Sequence, residues 1–387
     1  MTGTLLTVNV GSSSLRVALF DATDLAVRLR GHVDFGRDPP RVTLDGPLAG
    51  HVGSFEANRD DNGETINHLI GALADALPQA ALLGVSHRIV HSGTAEPRPQ
   101  RLQDDLVDAL QRWSALAIPH QAAALQVVRS VSRRWPQLPQ VACFDTAFHA
   151  SQPELARMYA LPSTYFDAGY RGYGFHGLAC ESIAEQLPTL AGPVADGKVI
   201  IVHLGSGSSL CALWQRRSVA SSMGFSVLGG VPMSTRCGDL DPGMVLQLVR
   251  DHHLDLGEIE DLLYRRSGLL GVSGISGDIR VLESSADAGA RQALDLLVDR
   301  VSTEMGAMAA RLGGADAVVF SGGAGTGSVG LRARIAQRCA WLGMRLDDAA
   351  NLRGEACISA PDSRVRVFVV QVDEERMLAR AARGVLV

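Results

Sequence analysis

Two stretches about half the chain apart share one design. "VNVGSSSLRVALF" (8–20) and "VHLGSGSSLCALW" (202–214) each run from an apolar strand through a Gly/Ser turn directly into a second apolar strand, and they align around one inserted glycine. A dinucleotide fold or a P-loop would place a helix N-terminus after the glycine turn, so that its free amides hold phosphate. Here another strand follows. One such hairpin is ordinary, but a related pair opening each half of the chain predicts a duplicated domain, with both hairpins facing a shared cleft.

A third glycine cluster, "ADAVVFSGGAGTGSVGLRARIAQRC", leads from a buried-strand pattern through Gly322, Gly323, Gly325 and Gly327 into a helical one. It reads as a strand-to-helix loop. "DDLVDALQRWSALA", "ESIAEQL", "MVLQLVRDHH" and "RQALDLLVDRVSTEMGAMAARLGG" have helical periodicity, and the last ends on a glycine pair suited to a C-cap. "VSHRIVHSG" and "QVACFDTAF" read as short buried strands with polar residues at their ends, where open α/β sheets bind ligands.

At 387 residues and a formal net charge of −5, with no basic run, the chain suits a small-molecule substrate and not a nucleic acid. Cys143, Cys180, Cys211, Cys237, Cys339 and Cys357 form no CxxC pair and no zinc spacing, so buried thiols in a reducing compartment are expected. No targeting segment and no apolar stretch near the ~20 residues of a bilayer span is visible, which places the protein in the cytoplasm with no membrane partner. Lys198 is the only lysine, so cationic work at a site falls to arginine, whose planar fork suits phosphate and carboxylate.

Four places carry polar groups that packing alone does not require: His87, Arg88 and His91; Asp145 and His149; His176; and Arg236, Asp239 and Asp241. Asp241-Pro242 also reads as an N-cap followed by the first helical position. Together the four suggest phosphoryl transfer, which depends on positioning and on neutralising charge. "NVGSSSL", "HRIVHSG", "FDTAFH", "ALPSTYFDAGYRGYGFHG", "SMGFSVLGGVPMSTRCGDLDP", "SGLLGVSGISGDIR" and "VFSGGAG", in order across nearly the whole chain, resemble the successive signatures of acetate kinases.

The resemblance implies an α/β chain of duplicated actin-like ATPase (ribonuclease H-like) domains with an active-site cleft between them. The domains would be 1–146 plus 371–387, and 147–370. It implies a cytoplasmic homodimer that moves the γ-phosphoryl of ATP to a short carboxylate, reversibly, with Mg²⁺ or Mn²⁺. Asn9 and Glu374 match the metal positions, and Ser12, Ser14 and Arg16 match the first phosphate hairpin. His203, Gly205, Ser206 and Gly207 in the second hairpin, with Gly322, Gly323 and Gly325, match nucleotide contacts, and Asp278 and Arg280 match contacts to the adenosine. Arg88 and Arg236 match the arginines that grip carboxylate and phosphoryl, and His176 the histidine that stabilises the transition state. His120 and Asp145 match two further active-site positions. Val90, Pro119, Phe175 and Val227 match the wall around the substrate's alkyl group.

Some positions depart from the pattern. "PHQAAA" replaces the usual His-Asn-Pro turn, Ser206 an asparagine, Thr326-Gly327 a Glu-Asn pair, Gly229 a glutamate and Cys180 a histidine. Pro119 stands for a leucine and Val227 for a proline. No cation or metal ligand is lost, so an enzyme is expected; propionate or butyrate as substrate, and a catalytically weak nucleotide- or acyl-phosphate-binding homologue, are the alternatives. Because a carboxylic acid of pKa about 4 is already an anion at neutral pH, no general base is needed. Asp145 is therefore expected to orient an arginine or metal-bound water.

Overall fold

The computed structural model describes residues 3–11, 14–35, 40–52, 57–58, 61–76, 82–93, 95–114 and 120–387. The chain divides into two compact units: Met1–Phe148, Gly177–Ser182 and Asp373–Val387 make the first, His149–His176 and Ile183–Val372 the second.

The first unit holds strands β1 (Thr4–Val10), β2 (Ser14–Asp21), β3 (Val27–Asp34), β4 (Arg41–Asp45), β5 (Leu82–Ile89), β6 (Gln100–Arg101) and β7 (Gln140–Phe144), in the sheet order β4-β3-β2-β1-β5-β7-β6. The second holds β8 (Lys198–Leu204), β9 (Ser208–Trp214), β10 (Arg217–Ser221), β11 (Ala317–Ser321) and β12 (Arg366–Val369), in the order β10-β9-β8-β11-β12. Within both runs the plan is the same: β3-β2-β1 and β10-β9-β8 are antiparallel and joined in hairpins, whereas β5-β7 and β11-β12 continue parallel to β1 and β8. This is the duplication that the paired hairpins predict, in the ribonuclease H-like form that the resemblance implies. The two Gly/Ser turns close β1 onto β2, pairing Val10 with Leu15, and β8 onto β9, pairing Leu204 with Ser208.

Position in the sheet follows from composition. All seven residues of β1 are buried, as a central strand covered on both faces requires, whereas β4 at the edge alternates between exposed and half-buried residues. In the first unit the C-terminal helix Glu374–Leu386 buries Met377 and Leu378 against Val141 and Cys143 of β7. Its N-cap is Asp373, whose side chain accepts from the Arg376 amide, so Glu374 stands at the first helical position. In the second unit the helix Ala288–Leu312 starts at an Asp287 cap and ends on Gly313 at φ +70°, the left-handed C-cap that the glycine pair predicts. Asp241 caps the helix Pro242–His252 in the expected way.

Two expectations are corrected. The third glycine cluster is not a loop: β11 passes straight into a helix, Gly322–Gly327, and Ser328 then caps the helix Val329–Arg338. Tertiary contacts override the poor helix propensity of glycine. Arg332, 1 % exposed, donates from Nη1 to the carbonyls of Gly325 and Thr326 at 2.9 and 2.8 Å, while its Nε donates to Asn351. Gly322 lies at φ +76°, and a Cβ there would stand 2.4 Å from the Leu204 carbonyl oxygen, so only glycine fits between β11 and β8. The cysteines also differ from expectation: Cys143, Cys180, Cys211 and Cys339 are buried, but Cys237 and Cys357 are only partly so, and all six are free thiols.

Candidate active site

Each unit brings together its own group of polar side chains. In the first unit, Asn9 near the end of β1, Arg88 near the end of β5, Asp145 just beyond β7 and Glu374 at the start of the C-terminal helix form one chain of hydrogen bonds. Asn9 Nδ2 donates to Glu374 Oε2 at 2.8 Å, and Arg88 Nη1 donates to Asn9 Oδ1 at 3.2 Å. Arg88 Nε and Nη2 both donate to Asp145 Oδ2, at 2.9 and 2.5 Å. Parallel pairing of β1, β5 and β7 aligns these strand ends, which is why residues so distant in sequence meet. Burial works against the Arg88 charge, but Asp145, Glu374 and Glu375 together outweigh it and hold the guanidinium pKa above its ordinary value. Glu375, beside Glu374, has its carboxyl pushed up by burial.

Around this group, Arg16 on β2 pairs across from Asn9 and is exposed, and the Ser14 carbonyl accepts the Gly11 amide at 2.8 Å to close the turn. Val90 is buried at the end of β5. Ser12, Pro119 and the His120 side chain lie outside the described residues; His120 opens the helix His120–Arg134. The neighbouring Gln121, where the family-like turn is lost, is fully buried: its Oε1 accepts the His91 amide at 2.7 Å and its Nε2 donates to the carbonyls of His91 and Leu110. A side-chain clamp thus stands where the family pattern has a proline turn.

In the second unit the Gly/Ser turn between β8 and β9 is the centre of convergence. A Cβ placed on Gly207 would lie 3.0 Å from both Arg236 Nη2 and His176 Nε2. The guanidinium is steadied by Nη1, which donates to the Val227 carbonyl at 2.9 Å. His176 sits at φ +57°, left-handed for a side chain with a Cβ, at the N-cap of the helix Gly177–Ala191. Its Nδ1 lies 2.9 Å from Ser209 Oγ on β9, and its ring centroid is 5.0 Å from that of His203, whose Nδ1 meets Ser321 Oγ at 3.1 Å. Gly205 has only the Gly207 carbonyl and the Gly323 amide near its Cβ direction, and Gly323 has open space. The start of the glycine helix therefore adjoins the hairpin turn, with Ser206 between Gly205 and Gly207.

Phe175 and Val227 are buried, at 1 % and 5 % exposure. Asp278 and Arg280 meet each other: Asp278 caps the helix Ile279–Ser284, and its carboxylate takes the exposed guanidinium of Arg280 at 2.6 Å. The Arg280 hydrogen bond holds the Asp278 carboxyl below the usual carboxylate range. Sequence reading missed Ser209 and Ser321, and it takes Gln121 only as a lost turn. Ser209 could have been suspected, since "SS" opens a strand whose first six positions are all buried, and a buried hydroxyl needs a partner.

The sequence pattern described as the Acetokinase family matches residues 4–380. An acetate kinase of Rhodopseudomonas palustris is 42 % identical over 388 residues, covering 98 % of each chain. One from Nitrobacter hamburgensis is 43 % identical over 389 residues, covering 99 % of this chain and 96 % of that one. Among solved structures, a propionate kinase from Francisella tularensis superposes with a TM-score of 0.89 at 27 % identity, covering 99 % of this chain and all of that one. Porphyromonas gingivalis acetate kinase superposes with a TM-score of 0.85 at 29 % identity over the whole of both chains.

Proposed function

The chain belongs to the acetokinase family, and on that premise we propose that it transfers the γ-phosphoryl group of ATP directly and in line to acetate, giving ADP and acetyl phosphate, and runs in reverse. The observation that carries this reading is the convergence of Arg236 Nη2 and His176 Nε2 over Gly207 in a phosphate-type hairpin. Two donors held around a glycine that leaves the space open are what a transferring phosphoryl group needs.

Roles follow from chemistry. Acetate arrives as an anion, so the barrier lies in bringing it to a polyanion, and cations do the work. Arg236 grips the phosphoryl group, and His176 donates to its equatorial oxygens from Nε2, with Ser209 fixing the other ring nitrogen. Arg88 holds the carboxylate. Asp145 orients Arg88, whose Nε and Nη2 both donate to its Oδ2, and no base is required because acetate is already an anion. The hairpin glycines Gly205 and Gly207, with Ser206, His203 and the start of the glycine helix at Gly322, Gly323 and Gly325, bind nucleotide. Ser14 and Arg16 take part from the first hairpin. Asp278 and Arg280 are assigned to the adenosine, and Val90, Phe175 and Val227 to the alkyl group.

Among the described residues no three His, Cys, Asp or Glu side chains gather into a metal cage. Mg²⁺ needs none, since it is held by one or two protein oxygens together with phosphates and water. The Glu374 carboxylate beside the Asn9 amide fits that demand. Bound there, Mg²⁺ would neutralise phosphate charge. We assign the protein to the cytoplasm: no helix among the described residues is long and apolar enough to cross a membrane, and no basic run invites nucleic acid. A homodimer is supported by the helix Pro242–His252, which buries none of its residues although it carries Met244 and Leu246 at 53 % and 56 % exposure.

Propionate is the second reading, favoured by the propionate kinase likeness; one methylene is worth only about 1 to 3 kcal/mol in an apolar pocket. Trapping acyl phosphate as the hydroxamate, with Mg²⁺, ATP and acetate, propionate or butyrate in parallel, tests the reading. The highest kcat/KM on acetate is expected. Turnover on none of the three would overturn it.

A further inference from the structure

His149 ends the "FDTAFH" stretch, is fully buried, and is not used by the chemistry assigned above. Its Nε2 lies 2.8 Å from the carbonyl oxygen of Phe175, the residue before His176. A carbonyl only accepts, so Nε2 carries the proton. Nδ1 is then the acceptor, 2.9 Å from Ser218 Oγ, and Ser218 in turn accepts from Gln152 Nε2 at 3.0 Å. The ring is thereby fixed in both tautomer and orientation. Its flank also closes on Gly174, where a Cβ would stand 2.6 Å from His149 Cγ, at a φ of +77°.

The segment held this way is an unusual one. Gly174 and His176 both have positive φ, and for His176 that backbone is disfavoured by about 1 kcal/mol or more. Such a turn persists only when its surroundings determine it. Ser209 fixes the His176 ring at one nitrogen. Something must fix the backbone from which the ring projects, and the bond from His149 to the Phe175 carbonyl is placed to do so.

We propose that His149 is a positioning residue for His176: through the Phe175 carbonyl it holds the left-handed turn that aims Nε2 over Gly207. The proposal rests on the role given to His176 above. The Gln152, Ser218 and His149 chain is, in this view, a buried support for a catalytic imidazole, and His149 itself touches no substrate.

A double-mutant cycle on the full chain tests this, with acetate, ATP and Mg²⁺ and with thermal unfolding to establish that each variant is folded. His149→Leu is expected to lower kcat by between about tenfold and a hundredfold, the cost of misplacing a catalytic group by about an ångström, with the KM for ATP changed less than about twofold. His149→Gln, whose amide nitrogen can still donate to the Phe175 carbonyl, should recover most of the loss. In a His176→Ala background His149→Leu should cost less than about a further twofold, because residues acting through one another are not additive. If His149→Leu does not fold, Ser218→Ala decides: a kcat loss of about three- to tenfold that disappears in the His176→Ala background is expected once the Nδ1 anchor is removed. Wild-type kcat in folded His149→Leu or Ser218→Ala protein, or equal losses with and without His176, would overturn the proposal. Wild-type turnover by His176→Ala itself would overturn the site reading instead, and this inference with it.

Discussion

Two donors of Arg88, Nε and Nη2, share a single acceptor, Oδ2 of Asp145, in an ion pair whose carboxylate is 1 % exposed. A carboxylate so committed serves the arginine. For Asp145→Asn we expect the KM for acetate to rise at least about tenfold, since the amide holds the guanidinium less firmly. The pH profile of kcat should keep its shape, because no catalytic base has been removed. Loss of an acid limb in that profile would instead make Asp145 a base. Asp145→Ala should also cost stability, at most about 3 kcal/mol and read from urea unfolding, because it leaves a partly buried cation without its carboxylate.

Gly207 offers a test that barely touches the fold. Its backbone is not in the left-handed region, so alanine is conformationally acceptable, yet the added methyl would meet Arg236 Nη2 and His176 Nε2 at 3.0 Å. Gly207→Ala is expected to fold with its melting temperature little changed and to lose at least about a hundredfold in kcat. Arg236→Ala should lose about as much. Near-normal turnover in either folded variant would contradict the assignment of this turn to the phosphoryl group.

The legible part of this molecule was written in strands. Paired Gly/Ser turns flanked by apolar runs dictate two hairpins, and the five strands β3-β2-β1-β5-β7 of the first sheet repeat the order of the second because the same pattern opens each half. Strand-end residues such as Asn9, Arg88 and Asp145 could be suspected because polar groups had no packing reason to be there. Contacts that depend on tertiary closeness were not legible. The glycine cluster reads as a loop because nothing local announces that Arg332 will cap its carbonyls. Gln121 reads as a lost turn, since its clamp on His91 and Leu110 joins segments 30 and 11 residues away. Asp278 and Arg280, two residues apart, were read through a resemblance as ligand contacts, and in the structure each satisfies the other.

The glycine helix assigned to the nucleotide departs from the family pattern at Thr326 and Gly327, and its geometry allows a repair. Thr326 turns its hydroxyl back to the Gly322 carbonyl at 2.8 Å, while a Cβ on Gly327 would meet nothing within 4 Å. Gly327→Asn therefore fits without displacing a neighbour and restores an amide beside the glycine helix. A KM for ATP lowered by about threefold to tenfold is expected, the worth of one net hydrogen bond. An unchanged KM would mean that the loop meets the nucleotide by other groups.

Acid sensitivity should trace to a histidine outside the reaction. His87, beside Arg88 on β5, is 1 % exposed, and burial pulls its pKa down from 6.5 to about 4, with Gln140 opposing. Between those values the unfolded chain binds a proton that the folded chain refuses, so stability rises with pH through the window and is lost as pH falls from 6.5 towards 4. The loss from this group between pH 7 and pH 5 is about 2 kcal/mol. Glu181, Glu304 and Glu375, all raised by burial, act in the opposite sense, because the folded state there binds the extra proton. Comparison with His87→Leu cancels them. Urea midpoints at pH 7 and pH 5 should fall clearly less in the variant than in the wild type, and equal falls would mean that His87 takes up its proton without leaving the folded state.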